Sequence, residues 1–328
     1  MSHAARAILS LACLLAAPLA AQAQGGAAES FVEAPGPQGP LKGTLLAPAG
    51  KPAAALLILP GSGPTDRDGN NPMGVKAAPY RLLAEGLAAK GIATLRTDKR
   101  GMFASAAAVK SANDVTIPDY VHDMQAWVDV LNRRTGLPCT WVLGHSEGGL
   151  VALASASSAT GVCGYVLVSA PGRRLGDILR AQLAANPAYK PLLEQALPAI
   201  AALEKGQHVD ASTFAPPLQQ LFNPAVQGFL IDMLSYDPAR LAARIDKPVL
   251  VMQGERDLQV SVADAQALKQ ADPKATLVLL PNVNHVLKTV ATDDRQANVA
   301  TYADPSLPLA PGVVDAIAGF IAGHASGR

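Results

Sequence analysis

This sequence has few cysteines, few aromatic residues and almost no net charge. The 328 residues include 3 cysteines, 4% aromatic residues and 16% charged residues. The 27 basic and 26 acidic side chains leave a net charge of +1, and the basic ones form no cluster. Proteins that bind nucleic acid usually carry a basic patch or stripe. The composition therefore indicates an ordinary globular chain with no nucleic-acid partner.

Sequence motifs for metals and nucleotides are also lacking. The chain has no His-Glu-x-x-His, no cluster of cysteine and histidine, and no Gly-x-x-x-x-Gly-Lys-Ser/Thr. Those motifs supply zinc ligands and phosphate-binding loops. The sequence predicts neither a metal ion nor a cofactor.

The first 23 residues predict a signal peptide. A short basic segment ends at Arg6, an apolar stretch runs from Ala7 to Ala17, and Ala21-Gln-Ala23 fits a small-x-small cleavage site. The apolar stretch is well short of the ~20 residues that span a bilayer. We therefore expect cleavage after Ala23, export to the periplasm or beyond, and no stable membrane insertion of the mature chain.

Beyond residue 23, short apolar runs alternate with segments of helical periodicity. This alternation predicts an α/β fold with a mostly parallel central sheet and helices on both faces. The pattern stops between Arg173 and Asp237, where only helical periodicity remains. We predict a core formed by residues 24–171 and 238–328 and an inserted helical cap at 172–237. A set of ordinary covering helices is the alternative interpretation of that insertion.

Two cysteines remain after removal of the predicted signal peptide. Cys139 and Cys163 come just before two strands that are predicted to be neighbours in the parallel sheet. Exported proteins pass through oxidising compartments, where disulfides form. The pair could be bonded, or it could be two independent buried thiols.

The most informative stretch is Trp141 to Leu150, in which an apolar strand leads into Gly144-His-Ser-Glu-Gly148. Gly-x-Ser-x-Gly is the pattern of a nucleophile elbow, a turn from strand to helix too sharp for a β-carbon at its glycines. Ser146 would be the nucleophile at the start of a helix over Leu150 to Ser158. The backbone N–H of Glu147 would help to hold a developing oxyanion. His145 is expected to pack within the turn.

A second loop follows the apolar run Ala53 to Leu59. It extends from Pro60 to Asn70 and is rich in glycine and proline. This is where hydrolases place their second oxyanion donor, and the Ser62 N–H is the candidate; a simple solvent-exposed turn is the alternative. Asp66, Arg67 and Asp68 could lock the loop by ion pairs or be solvated surface charges.

An acid and a base come later in the chain. Asp257 follows the predicted strand Pro248 to Met252, and His285 follows the predicted strand Ala275 to Leu280. Ends of parallel strands meet at one edge of a sheet, so both side chains are expected near Ser146. Glu255 competes with Asp257 as the acid, but Gly-x-x-Asp resembles the usual spacing in hydrolases, and this resemblance favours Asp257.

Together these motifs resemble bacterial carboxylesterases of the α/β-hydrolase superfamily, particularly secreted or thermophilic acyl-ester hydrolases. The resemblance implies an α/β-hydrolase fold, the triad Ser146, Asp257 and His285, and a small-molecule ester as substrate, for which we expect short acyl chains. Phe103 departs from the family, which usually has a glycine there. The motifs are Gly61 to Asn70, Asp98-Lys-Arg-Gly101, Gly144 to Gly148, Gly254-Glu-Arg-Asp257 and Asn284-His-Val-Leu-Lys288.

The same parts would also serve a serine peptidase or a thioesterase, in which the helical insertion would set the substrate. A non-catalytic binding protein on this scaffold would be expected to have lost a member of the triad. All three members are present. The sequence thus favours a carboxylesterase and leaves its physiological substrate and oligomeric state open.

Overall fold

A computed structural model describes residues 26–185 and 187–325, so the predicted signal peptide lies outside the described residues. Within them the chain forms an eight-stranded sheet in the order β1-β2-β4-β3-β5-β6-β7-β8. The strands are β1 (Ala28–Ala34), β2 (Leu41–Ala47), β3 (Ala54–Leu59), β4 (Ile92–Thr97), β5 (Thr140–His145), β6 (Val162–Val168), β7 (Val249–Gly254) and β8 (Thr276–Leu280).

Six of these strands, from β4 to β8 across the sheet, pair in parallel, while β1 and β2 form an antiparallel hairpin at one edge. The α/β fold with a mostly parallel sheet is therefore confirmed. Strand β3 shows why its sequence does not alternate: Leu57 and Leu59 face one hydrophobic layer, and Leu56 and Ile58 face the other. A strand buried on both faces has no polar side to present.

Helices cover both faces of the sheet. Helices α2, α3 and α9 pack on one face, and α1 and α11 on the other. None of the described helices is long and apolar enough to cross a membrane. The helices are α1 (Pro79–Ala88), α2 (Ile117–Thr135), α3 (Glu147–Ser155), α4 (Leu175–Ala185), α5 (Leu193–Leu203), α6 (Pro216–Leu221), α7 (Pro224–Leu234), α8 (Pro238–Ala242), α9 (Val262–Ala271), α10 (Arg295–Ala300) and α11 (Val313–Ala325), with 3₁₀ turns at Phe103–Ala108 and Pro187–Leu192.

Helices α4 to α7 occupy the insertion at residues 172–237, and the described part of this segment contains no strand. They share a hydrophobic cluster of their own, centred on Ile200 and Phe222. Several polar contacts tie the insertion to the core, including the following two. Arg173 pairs with the buried Asp264 of α9 at 2.8 Å, and Asp232 accepts a 2.7 Å hydrogen bond from the Ile117 backbone N–H at the start of α2.

The helix after the elbow differs from its predicted bounds, because it begins at Glu147 and ends at Ser155 instead of running from Leu150 to Ser158. Gly148 and Gly149, which precede the predicted start, both lie inside the helix. A β-carbon on Gly149 would come closer than 3.0 Å to the Ala170 side chain. The glycine therefore allows α3 to pack closely against the chain after β6.

Phe103, the residue that departs from the family pattern, has a φ of 46°. This left-handed conformation favours glycine and is strained for a bulky side chain. Neighbouring bonds hold the turn, since the Ser105 hydroxyl donates to the Asp98 carbonyl and accepts from the Lys42 N–H. The chain thus keeps the backbone conformation of a glycine without the glycine.

The structure joins Cys139 and Cys163 by a disulfide, with their Cα atoms 5.2 Å apart. Cys163 lies inside β6 and not before it, because β6 begins two residues earlier than predicted. It is the extra residue of a register shift, between the pairs Thr140–Val162 and Trp141–Gly164. The bond lies at the amino end of β5, at the edge of the sheet opposite the elbow.

We predict that thiol counting under denaturing, non-reducing conditions finds no free thiol from Cys139 or Cys163 in the mature protein. Closing a loop with a sequence separation of 24 is worth about 3 kcal/mol in the chain-entropy model. Reduction should lower the melting temperature by several degrees and leave activity at ambient temperature unchanged. Two free thiols per chain would contradict the bond.

Candidate active site

Ser146 stands at the reversal between β5 and α3, with φ 54° and ψ −121°. Such a backbone is strained for serine and is held by its surroundings. A β-carbon on Gly144 would come closer than 3.0 Å to the Gly148 backbone, and one on Gly148 would meet the Leu59 carbonyl equally closely. The Ser146 N–H donates a 3.0 Å hydrogen bond to the Val168 carbonyl. The turn requires glycine at both flanks, as predicted.

Asp257 and His285 are joined by a hydrogen bond of 2.8 Å between Oδ2 and Nδ1. The carboxylate can only accept, so Nδ1 carries the proton and Nε2 is left to act on another group. Backbone N–H groups of Gln259 and Val260 donate to Asp257 Oδ1 at 2.8 and 3.0 Å. Glu255, the competing acid, is exposed to solvent.

The Asp257 side chain is fully buried, and burial by itself raises the pKa of a carboxyl group. Its attraction to His285 and its hydrogen bonds outweigh that effect, so the pKa of Asp257 lies below its ordinary value. The carboxylate is therefore ionised at neutral pH. It fixes the orientation of the His285 ring.

Ser146 lies where two recesses meet. The smaller, of about 90 Å³, is lined by Ser146, His285 and Tyr302 among others. The larger, of about 170 Å³, is lined by Ser146 together with both predicted oxyanion residues, Ser62 and Glu147. The structure thus places all five predicted site residues around one point at the carboxyl edge of the sheet.

Ion pairs hold the Pro60–Asn70 loop, which settles the two alternatives for its charges in favour of a lock. Arg67 pairs with the buried Asp98 at 2.5 Å, and Asp68 pairs with the buried Arg96. The Asp66 carboxylate accepts from the backbone N–H groups of Asp68 and Asn70, both at 2.8 Å. The loop carrying Ser62 is therefore fixed in shape from both sides.

His145 does more than pack within the elbow, the role expected from the sequence. Its Nε2 donates to the His285 carbonyl at 2.9 Å, so its Nδ1 accepts from the Tyr80 hydroxyl at 2.8 Å. The Tyr80 oxygen in turn accepts from the Gly61 N–H at 3.0 Å. This buried chain, from Gly61 through Tyr80 and His145 to His285, connects the oxyanion loop, the elbow and the loop of the base.

The network is neutral. Burial, with the neighbouring His285, lowers the pKa of His145 to about 3, and burial raises the pKa of the Tyr80 hydroxyl. The sequence pointed to His145 only through its position next to Ser146. Nothing in the sequence connected it with Tyr80, which is 65 residues away.

Among the described residues, no group of three or more His, Cys, Asp or Glu side chains is arranged to hold a metal ion.

A model of the alpha/beta hydrolase family matches residues 56–301. The chain therefore belongs to the α/β-hydrolase family. A curated relative, Esterase EstD of Thermotoga maritima, is 28% identical over 79% of this chain and 61% of its own length. This chain thus spans less than two thirds of EstD.

Solved structures share the fold at low sequence identity. An esterase of Pyrococcus furiosus superposes with a TM-score of 0.56 at 18% identity, over 90% of each chain. A proline iminopeptidase of Mycobacterium smegmatis superposes with a TM-score of 0.57 at 17% identity, over 90% of this chain and 99% of its own. Both structures support the α/β-hydrolase fold, and the activity has to be inferred from the geometry of the site.

We predict that His145 makes stability depend on pH. The unfolded chain protonates this histidine near 6.5 and the folded chain only near 3, so between these values the unfolded state binds more protons. The free energy of unfolding should therefore fall as the pH drops below 6.5.

The variant His145→Gln tests this, because glutamine keeps one donor and one acceptor but does not titrate. Between pH 6.5 and 5.0 it should lose about 2 kcal/mol less than the wild type in urea unfolding; equal losses would contradict this.

Proposed function

We propose that the chain is a carboxylesterase-type serine hydrolase that cleaves carboxylic esters through an acyl intermediate on Ser146. The observation that carries the proposal is the Asp257–His285 pair beside Ser146, in a recess bordered by Ser62 and Glu147. The name of the relative EstD, an esterase, supports the same activity.

The mechanism follows from the chemistry of these groups. A serine hydroxyl is a weak nucleophile until a base takes its proton, and His285 Nε2 is the free imidazole nitrogen. Ionised Asp257 holds the tautomer and stabilises the imidazolium that forms. Backbone N–H groups of Ser62 and Glu147 stabilise the oxyanion of the tetrahedral intermediate. His285 then protonates the leaving alcohol, and water releases the acid by the same steps.

The two recesses determine how the ester is oriented in the site. The group that protonates the leaving oxygen has to lie next to it. His285 lines the smaller recess, together with the polar side chains of Thr65, Asn71 and Gln259. The alcohol part of the ester therefore belongs there, and the acyl part belongs in the larger recess beside both oxyanion donors.

The larger recess is mostly apolar, and the helical insertion supplies much of its wall. Leu175, Ile178 and Leu179 of α4 line it, with Met233 of α7 and Tyr236. About 170 Å³ suits a short acyl chain. Residues 172–237 would then act as the predicted cap, excluding water from the acyl group and setting its length.

A peptidase that recognises a free amino terminus would need an unpaired carboxylate near Ser146. Among the residues lining the larger recess the acidic one is Glu147, and its carboxylate is bound by Lys99 at 3.0 Å. The site therefore favours esters over such peptides. Thioesters would fit the same recess, and a p-nitroanilide and a thioester belong in the substrate panel.

We also propose that the mature protein is exported. The signal peptide predicted over residues 1–23 and the bond between Cys139 and Cys163 support this, because disulfides persist in oxidising compartments.

We expect Ser146→Ala and His285→Ala each to reduce hydrolysis of p-nitrophenyl butyrate to a few per cent or less. The melting temperature of Ser146→Ala should stay near that of the wild type, whereas His285→Ala should lower it, because the buried Asp257 carboxylate loses its partner. Asp257→Asn should lose about 10⁴-fold in kcat through the wrong imidazole tautomer. Glu255→Gln is the matched control and should retain full activity. If Glu255→Gln were the crippling change and Asp257→Asn were not, the acid would be reassigned.

The cap proposal predicts a shift in chain-length preference. Leu179 lines the larger recess and is half-buried, so Leu179→Trp should shorten the recess without emptying a core. In a p-nitrophenyl series from acetate to octanoate, kcat/KM should fall at least tenfold for octanoate and stay within twofold for acetate. Equal losses at all lengths would place the acyl chain elsewhere.

A further inference from the structure

A buried lysine that the proposed mechanism does not use lies beneath the oxyanion hole. Lys99, in the loop after β4, is 8% exposed. Its Nζ donates to the Gly61 carbonyl at 2.8 Å and to Glu147 Oε1 at 3.0 Å, and Glu147 is itself 6% exposed. One ammonium group thus contacts both segments that supply the oxyanion donors.

The contact with Gly61 fixes the direction of the Ser62 N–H bond. The Gly61 carbonyl and the Ser62 N–H belong to one peptide group, which is planar and trans, so the two bonds point opposite ways. Because Lys99 binds the carbonyl oxygen, the Ser62 N–H of the same peptide group points away from Lys99, and Ser62 lines the recess that also contains Ser146. Without this bond the peptide could rotate, and the donor would be lost.

The contact with Glu147 compensates the negative charge of its carboxylate. Glu147 is the first residue of α3, and its carboxylate lies next to the helix terminus where the oxyanion would form. An unpaired negative charge at this place would oppose the developing oxyanion. The Lys99 ammonium compensates it and leaves the N-terminal end of α3 electropositive.

Neighbouring charges do not compete for Lys99. Asp98 is bound by Arg67, and Arg100 is bound by Asp119 and Asp123. The ammonium also lies 5.6 Å from the centre of the Tyr120 ring, a distance typical of cation–π contacts.

We propose that Lys99 is a positioning residue for both oxyanion donors: it orients the Ser62 N–H through the Gly61 carbonyl and cancels the charge of Glu147. The proposal rests on the proposed esterase function. It predicts a loss in transition-state stabilisation and not in substrate binding.

The test compares Lys99→Met with Arg100→Met, a control that removes the adjacent buried cation but none of the contacts to Gly61 or Glu147. With p-nitrophenyl butyrate, Lys99→Met should lower kcat about 10²-fold, the usual effect of losing one oxyanion donor, with KM within threefold. Arg100→Met should lower the melting temperature and keep kcat within threefold. Adding Glu147→Gln to Lys99→Met should recover part of kcat, because the unpaired carboxylate is gone.

A second readout is the dissociation constant of butylboronic acid, measured by calorimetry. Its tetrahedral adduct with a serine is an anion and places a boronate oxygen in the oxyanion hole, so affinity for Lys99→Met should fall by about the same factor as kcat. Equal losses of kcat in the Lys99 and Arg100 variants, or an unchanged boronate affinity, would overturn the role of Lys99. A wild type that hydrolyses no ester would instead remove the proposed function.

Discussion

The reversal of the chain at Ser146 is the constraint on which the site depends. A residue at φ 54° between a buried strand and a helix can persist only where the surroundings hold it. Here Gly144 and Gly148 allow the backbones to approach, and the Ser146 N–H is bound by the adjacent strand β6. Every other group of the site is arranged about this fixed point.

Two buried polar systems meet at Gly61, which lies next to this turn. On one side the neutral chain through Tyr80 and His145 joins the Gly61 N–H to the His285 carbonyl. On the other the Lys99 ammonium joins the Gly61 carbonyl to Glu147. Gly61 is thus held at both its donor and its acceptor. Precise placement of donors lets an active site stabilise charge without reorganising during the reaction.

Much of this could be predicted from the sequence because the signals were local. Continuous apolar runs indicated buried strands, and Gly-x-Ser-x-Gly indicated the turn. The hydrogen bonds of His145 with Tyr80 and of Lys99 with Glu147 could not be predicted. They join residues 65 and 48 positions apart, and the local sequence patterns around Tyr80 and Lys99 indicate only a helix and a loop. The predicted bounds of α3 were wrong because the helix begins directly after Ser146 and includes Gly148 and Gly149, whose small size permits close packing.

The helical insertion enters after β6 and leaves before β7, two strands that are neighbours in the sheet, and it has its own hydrophobic cluster. Substitutions within that cluster can reshape the wall above Ser146 while the strands, the elbow and the buried polar chains stay unchanged. Under the proposed function, much of the wall that sets selectivity therefore lies in a different stretch of this chain from the proposed catalytic residues. Evolution, or an engineer, can vary that wall without disturbing those residues.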